Sequence, residues 1–250
     1  MLREAVRTLQ LPFGSRGLDA GCGVGLQTLL LAEAVGPMGR VAGLDMVSDL
    51  LAHARQRVKD AGLSEQISFQ KGRIENLPFS ADTFDWAWSA DCVGYAPMES
   101  LPLLSELARV VKPGGAVAIL AWSSEKLLPG YPGLEARLGA TAPGIAPFVH
   151  GKKPETHFSR ALDWFHALGL EETKACVLAD SVNAPLSEDH NKALVALFDM
   201  RWPGAEAELS KEDREDFKRL CKPESPVFIL RQPAYYAFFT YSMFSGRIPG

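Results

Sequence analysis

The chain has 250 residues, enough to bury one sizeable core, and its 47% hydrophobic and 22% charged residues are ordinary for a globular domain. A formal net charge of −4 with no dense Lys/Arg block argues against non-specific nucleic-acid binding, which depends on a basic footprint. The longest apolar runs are far too short to span a bilayer, and Cys22, Cys92, Cys176 and Cys221 show no C-x-x-C or Cys/His ligand spacing, so no metal site and a reduced cytoplasmic setting are expected.

Residues 1–11 read as a short amphipathic helix without a signal-peptide core, stopped by Pro12 and the turn Phe13-Gly14-Ser15. A strand over Gly17–Ala20 runs into three glycines at alternate positions, and an apolar helix follows from Leu26 to Val35. After the turn Gly36–Gly39, Val41–Asp45 is a second short apolar strand that ends in a carboxylate. Ser48 can cap the next helix, in which Leu50, Leu51, Ala54 and Val58 recur at helical spacing. Ile67–Gln70 and Phe84–Ser89 are strands. A helix carrying Leu103, Leu104, Leu107, Val110 and Val111 ends at Lys112-Pro113-Gly114-Gly115, and the apolar strand Ala116–Trp122 follows.

Strands alternating with helices imply a parallel sheet covered on both faces. The rhythm breaks over residues 123–156, rich in proline and glycine, and again over 184–226; insertions this long are expected to be functional lids. Between them lie a helix around Phe158–Leu168 and a strand near Thr173–Val182. The run Ser210–Asp216 reads as a solvated helix start, and Tyr235–Phe244 as a last strand with aromatic residues on both faces. A single domain over 1–250 is therefore expected, with a core of about 14–122, 157–183 and 227–247.

The stretch Asp19-Ala20-Gly21-Cys22-Gly23-Val24-Gly25 lets a ligand lie against bare backbone. A dinucleotide fingerprint would need a third glycine where Leu26 stands. The acidic-x-G-x-G-x-G pattern instead resembles the first motif of the class I S-adenosylmethionine (SAM) methyltransferases. Asp45, twenty residues beyond Gly25, suits a ribose diol, because a carboxylate accepts two hydrogen bonds. Gly72–Phe79 followed by Phe84-Asp85 looks like the G-D-A-E-x-L-P-F…FD segment of the ubiquinone- and menaquinone-type enzymes, and Lys112–Gly115 resembles their L-K-P-G-G turn. These motifs cover residues 17–122, about half the chain.

The resemblance implies a Rossmann-like, seven-stranded, mostly parallel sheet whose last strand inserts antiparallel between strands five and six. It also implies SAM as the methyl donor and S-adenosylhomocysteine (SAH) as its product. Asp19 would sit beneath the methionine end with Gly21, Gly23 and Gly25, and Asp45 with Met46 would take the ribose. Ser89 and Ala90 would line the methionine portion. The family acid that accepts from the adenine amine falls on Arg73, which offers donors only; adenine would then rely on Ile74, on Glu75, or on Arg73 stacking over the ring.

The methyl acceptor is less defined. After the fourth strand stands Ser89-Ala90-Asp91-Cys92, with neither the paired prolines of amino-methylating enzymes nor a Pro-Cys nucleophile, so a nucleic-acid substrate is not expected. A small apolar or aromatic metabolite, methylated at oxygen, carbon or nitrogen, is the leading expectation. Asp91, Tyr95 and His150 are the candidate bases, with His157 also in the lid, and Trp122, Tyr131, Phe148, Trp164 and Trp202 are candidate pocket walls. No nucleic acid, no membrane insertion, and a monomer or homodimer are expected. The competing readings are a non-catalytic SAM-binding or assembly protein and a nucleotide-cofactor oxidoreductase.

Overall fold

The structure is a computed structural model that describes residues 1–93, 100–145 and 154–250. One seven-stranded sheet is built from β1 (Arg16–Ala20), β2 (Arg40–Asp45), β3 (Ile67–Lys71), β4 (Phe84–Ala90), β5 (Val111–Lys126), β6 (Glu171–Asn183) and β7 (Tyr236–Arg247), in the order β3-β2-β1-β4-β5-β7-β6. The pairs β1–β2, β1–β4, β2–β3 and β4–β5 are parallel. Strand β7 runs antiparallel to β5: Gly114 and Gly115 exchange backbone hydrogen bonds with Ile248, while Trp122 meets the Tyr241 ring edge-on at 5.4 Å. The inserted last strand is thus as expected. Its aromatic face is less enclosed than the sequence suggested: Tyr235 precedes the strand, Tyr236 is exposed, and full burial is reached at Ala237, Tyr241, Met243 and Phe244.

The chain divides into two compact units. The first comprises residues 1–122, the described part of 150–178, and 241–250. Its helices include α1 (Leu2–Thr8), α2 (Leu26–Val35), α3 (Ser48–Asp60) and α4 (Ser100–Arg109). Helix α3 buries Leu51, Ala54 and Val58 and carries Asp49 in its first turn and Arg57 and Lys59 in its last, as its dipole favours. The core joins Ala5, Val6, Leu31, Val35, Val41, Val58, Trp86, Trp88, Leu120 and Met243. The Trp86 indole lies where a side chain on Gly17 would be, and its N–H donates to Ser15 Oγ at 2.9 Å.

Lys112–Gly115 is a bulge within β5, where the sequence suggested a turn ahead of the strand. Val111 pairs with Phe84 and Ala116 with Trp86, so the extra residues loop out, and Gly114 takes a φ of +75°.

The second unit comprises the described part of 123–149 together with 179–240. It contains α5 (Pro132–Ala140), α6 (Ala142–Ile145), α8 (Glu188–Arg201) and α9 (Lys211–Cys221), while α7 (Ala161–Ala167) belongs to the first unit. Leu127, Leu134, Leu138, Leu194, Phe198, Trp202, Phe217, Leu220 and Ile229 form a core of their own. Two arginines tie this core together. Arg201 pairs with Glu125 at 2.6 Å with both side chains buried, and Arg137 grips both oxygens of Asp213. The charged run is a helix start as expected, capped by Ser210, but its Asp213 is buried against Arg137.

Packing around Trp86 gives a direct check. A Cβ on Gly17 would stand 2.0 Å from the indole, and overpacking of a filled core costs about 1–3 kcal/mol. Gly17→Ala is expected to lower the urea midpoint accordingly without altering the slope of the transition.

Candidate functional site

A cavity of about 340 Å³ opens at the carboxyl ends of β1, β2 and β4, all within the first unit. That is where open parallel sheets bind ligands, and the volume is within the range of small-molecule pockets. The loop from β1 to α2 reaches it through Gly21. Gly21, Gly23 and Gly25 have φ values of +82°, +51° and +77°, a left-handed conformation that side chains resist. They differ in what surrounds them. A Cβ on Gly21 would be 2.2 Å from the Cys92 sulfur and one on Gly25 would be 3.0 Å from the Ala54 Cβ, whereas nothing lies within 4 Å of that on Gly23. Gly23 is therefore the one of the three with open space beside its backbone.

Asp45, at the end of β2, is fixed by two backbone donors. Gly23 N–H donates to Oδ2 at 2.9 Å and Val47 N–H to Oδ1 at 2.8 Å. A carboxylate has about four lone-pair sites, so each oxygen keeps capacity for a ligand hydroxyl. Leu44, Met46, Val47 and Ile74 supply apolar wall, and Met46 remains 54% exposed at the cavity. Arg73 pairs with Glu75 at 2.7 Å, and both line the cavity. Glu75 is held below the usual carboxylate range: its partial burial opposes the shift, and its own backbone N–H and Arg73 overcome that.

Asp19 lies beneath the loop, 1% exposed, accepting from Thr28 Oγ1 at 2.6 Å. Burial pushes its pKa up to about 7, the Thr28 hydroxyl opposes this, and the nearby Asp45 charge adds to it. Asp91 follows β4 with φ +52°. Its Oδ1 accepts from Trp122 N–H at 2.8 Å and its Oδ2 from the Tyr241 hydroxyl at 3.0 Å. Burial raises the Asp91 pKa against both of these hydrogen bonds. The same burial, helped by the charges of Asp19, Asp45 and Asp91, pushes the Cys92 thiol up to about 12.

Of the residues singled out in the sequence, Gly21, Asp45, Met46, Arg73, Ile74, Glu75 and Asp91 converge on this one cavity. Ser89 turns its hydroxyl onto Ala20 O at 2.8 Å, and with Ala90 it stands behind a wall that Asp91 and Cys92 provide. Tyr95, Phe148 and His150 lie outside the described residues. His157 bonds within its own turn to Ser159. Trp202 is in the core of the second unit, and the Trp164 N–H donates to Glu155 O. Leu50 and Leu103 also line the cavity; in the sequence they read only as helix positions. No group of His, Cys, Asp or Glu suited to a metal occurs among the described residues.

An adenosyl cofactor fits what is present: an open backbone face at Gly23, an acceptor at Asp45, apolar walls, and carboxylates for a cationic ligand. The N-terminus of α2 adds amides with neither a side-chain cap nor an acidic first turn, so it can take a ligand carboxylate. Residues 18–115 match the profile of the methyltransferase domain family. Over that stretch the chain is similar to a methyltransferase domain. The demethylmenaquinone methyltransferase of Bacillus cytotoxicus is 38% identical over 126 residues, 50% of this chain and 52% of that protein. The chain thus spans about half the length of the curated relatives it matches. Among solved structures, the YcgJ protein of Bacillus subtilis aligns with a TM-score of 0.59 at 17% identity over 100% of this chain and 98% of that one. Phosphoethanolamine N-methyltransferase 2 of Haemonchus contortus, in complex with S-adenosyl-L-methionine, gives 0.58 at 17% identity over 99% and 52%. These two establish a methyltransferase-like fold over the chain.

The buried acid of this domain makes stability depend on pH. Asp19 titrates near 3.8 unfolded and near 7 folded, so its carboxyl is tolerated best when protonated. Stability from this group is complete at low pH and declines as pH rises from about 4 to 7, by on the order of 4 kcal/mol. Asp19→Asn is expected to flatten that decline in denaturant titrations of the ligand-free protein at stepped pH.

Proposed function

We propose that the protein transfers a methyl group from SAM to a small apolar or aromatic acceptor at oxygen, carbon or nitrogen. The observation that carries this reading is Asp45, held by the Gly23 and Val47 amides in a cavity that Gly21 also lines. In this reading the outer lone pairs of Asp45 accept the ribose hydroxyls, with Met46 packed beside them. Ile74 and Glu75 read adenine, Glu75 as acceptor from its amine and Arg73 as the partner that keeps Glu75 ionised. Gly21, Gly23 and Gly25 let the methionine end approach backbone, Asp19 provides negative charge beneath it, and Ser89 and Ala90 support that wall.

Bound SAM supplies an electrophilic methyl on a sulfonium; the chain's task is to align a nucleophile with it and to exclude water. Asp91 is the base of choice among the described residues, because it lines the cavity and burial raises its pKa, which makes its carboxylate a stronger proton acceptor. Tyr95 and His150 are the other candidates. The acceptor is assigned to the segments 123–156 and 184–226, which carry none of the cofactor motifs. The printed activity of the Bacillus relative makes a quinone-type ring a natural acceptor class. We take the protein to be a cytoplasmic monomer or homodimer acting on a small molecule; its four free cysteines fit a reducing compartment.

Two substitutions test the assignment. Asp45→Ala is expected to weaken SAM and SAH binding in calorimetry by roughly 1.5–3 kcal/mol, the range for hydrogen bonds to charged groups; unchanged affinity removes Asp45 from the ribose site. Gly23→Val fills the open face and is expected to abolish binding while far-UV circular dichroism still reports a folded protein. Full retention of binding would sink the assignment of the glycine loop.

A further inference from the structure

The loop between β1 and α2 has an internal logic that extends beyond its glycines. Each glycine is preceded by a peptide unit that could rotate almost freely, because glycine tolerates both signs of φ. In the structure every one of these units is held at both its oxygen and its nitrogen. The Ala20–Gly21 unit accepts from Ser89 Oγ at 2.8 Å and donates to Leu44 O at 2.8 Å. The Cys22–Gly23 unit accepts from Gly25 N–H at 2.9 Å and donates to Asp45 at 2.9 Å. The Val24–Gly25 unit accepts from Arg57 Nη1 at 2.6 Å and donates to Cys22 O at 2.9 Å.

Ser89 and Asp45 belong to the cofactor-facing ends of β4 and β2. Arg57 does not: it sits 33 positions along the chain from Val24, in the last turn of α3, and is not among the residues that line the cavity. Its helix touches the loop at a second point, since a Cβ on Gly25 would meet Ala54 at 3.0 Å and the Phe69 ring at 3.3 Å. The Val24–Gly25 unit leads directly into Gly25, the N-cap of α2, so it stands one peptide unit ahead of the first amides of that helix.

We propose that Arg57 is a positioning residue of the cofactor site, fixing the third peptide unit of the glycine loop in its ligand-ready orientation before any ligand arrives. This rests on the reading that the loop holds SAM. Without the guanidinium, the Val24 carbonyl loses a charge-assisted partner, and the peptide unit is free to populate rotated states that must be reversed on binding. The loss appears as weaker affinity rather than as unfolding, because the Arg57 contact is to a loop carbonyl and the buried face of α3 is Leu51, Ala54 and Val58.

The test uses the full chain with Arg57→Met and Arg57→Lys, SAH as the ligand, calorimetry for affinity, and amide hydrogen exchange without ligand. Arg57→Met is expected to weaken SAH binding about tenfold, the effect of a single hydrogen bond to a charged group, and to speed exchange of residues 23–26 while β1 and β4 are unchanged. Arg57→Lys, which keeps a charged donor, is expected to recover part of both. Arg57→Met binding SAH within about twofold of the parent, with unchanged loop exchange, would overturn the proposal. General acceleration of exchange across β1 and β4, unrelieved by lysine, would also overturn it, since the residue would then be structural. A parent protein that fails to bind SAH overturns the cofactor reading instead, and the exchange comparison still decides whether Arg57 holds the loop.

Discussion

Everything at the cavity depends on the two hydrogen bonds that end at the Asp45 carboxylate. Gly23 belongs to the loop after β1 and Val47 to the entry of α3, and one side chain at the end of β2 accepts from both. Neighbouring parallel strands alone would set β1 and β2 side by side without fixing how their loops meet. With Asp45 joining them, the glycine face, the Met46–Val47 wall and an acceptor with spare lone pairs are brought to one place. The same carboxylate thus organises the site and offers itself to a ligand, an arrangement that preorganised binding favours.

Around it the chain concentrates buried acid. Asp19, Asp45 and Asp91 stand near one another at the carboxyl ends of three strands, and burial raises the carboxyls of Asp19 and Asp91. A domain built for stability alone would avoid this, since buried carboxylates with mainly hydroxyl and amide partners cost free energy when ionised. The arrangement makes sense if the missing positive charge comes from the ligand. SAM carries both a sulfonium and an ammonium, and such charges would draw Asp19 and Asp91 back toward their ionised forms.

The second unit follows different rules. Its core is a set of leucines and aromatics from α5, α8 and α9, fastened by Arg201–Glu125 and Arg137–Asp213, and none of its charged side chains carries a cofactor motif. Arg201 also donates to Gly144 O at 3.2 Å, so the buried pair joins β5, α6 and α8, and removing one member would be strongly destabilising. In such a scheme the loop after β1 serves the methyl donor and keeps its form, while the second unit is at liberty to vary with the acceptor.

The sequence by itself determined the fold class, the alternation of the first five strands, the inserted last strand through its family resemblance, and seven of the residues that meet at one cavity. These were legible because their signals are local: glycines that must adopt positive φ, a carboxylate closing a strand, apolar residues at periods of two or 3.6. Tertiary structure alone decided which side chains hold that local pattern in place. That Arg57 reaches Val24 O, that Tyr241 and Trp122 N–H both bind Asp91, and that Lys112–Gly115 is a bulge paired with Ile248 are contacts between distant residues. Asp213 shows the limit from the other side: within a charged run it reads as solvated, and only the approach of Arg137 makes its burial affordable. Periodicity records which face of an element is apolar; it holds no record of which element will arrive opposite, and that pairing is where the site acquires its geometry.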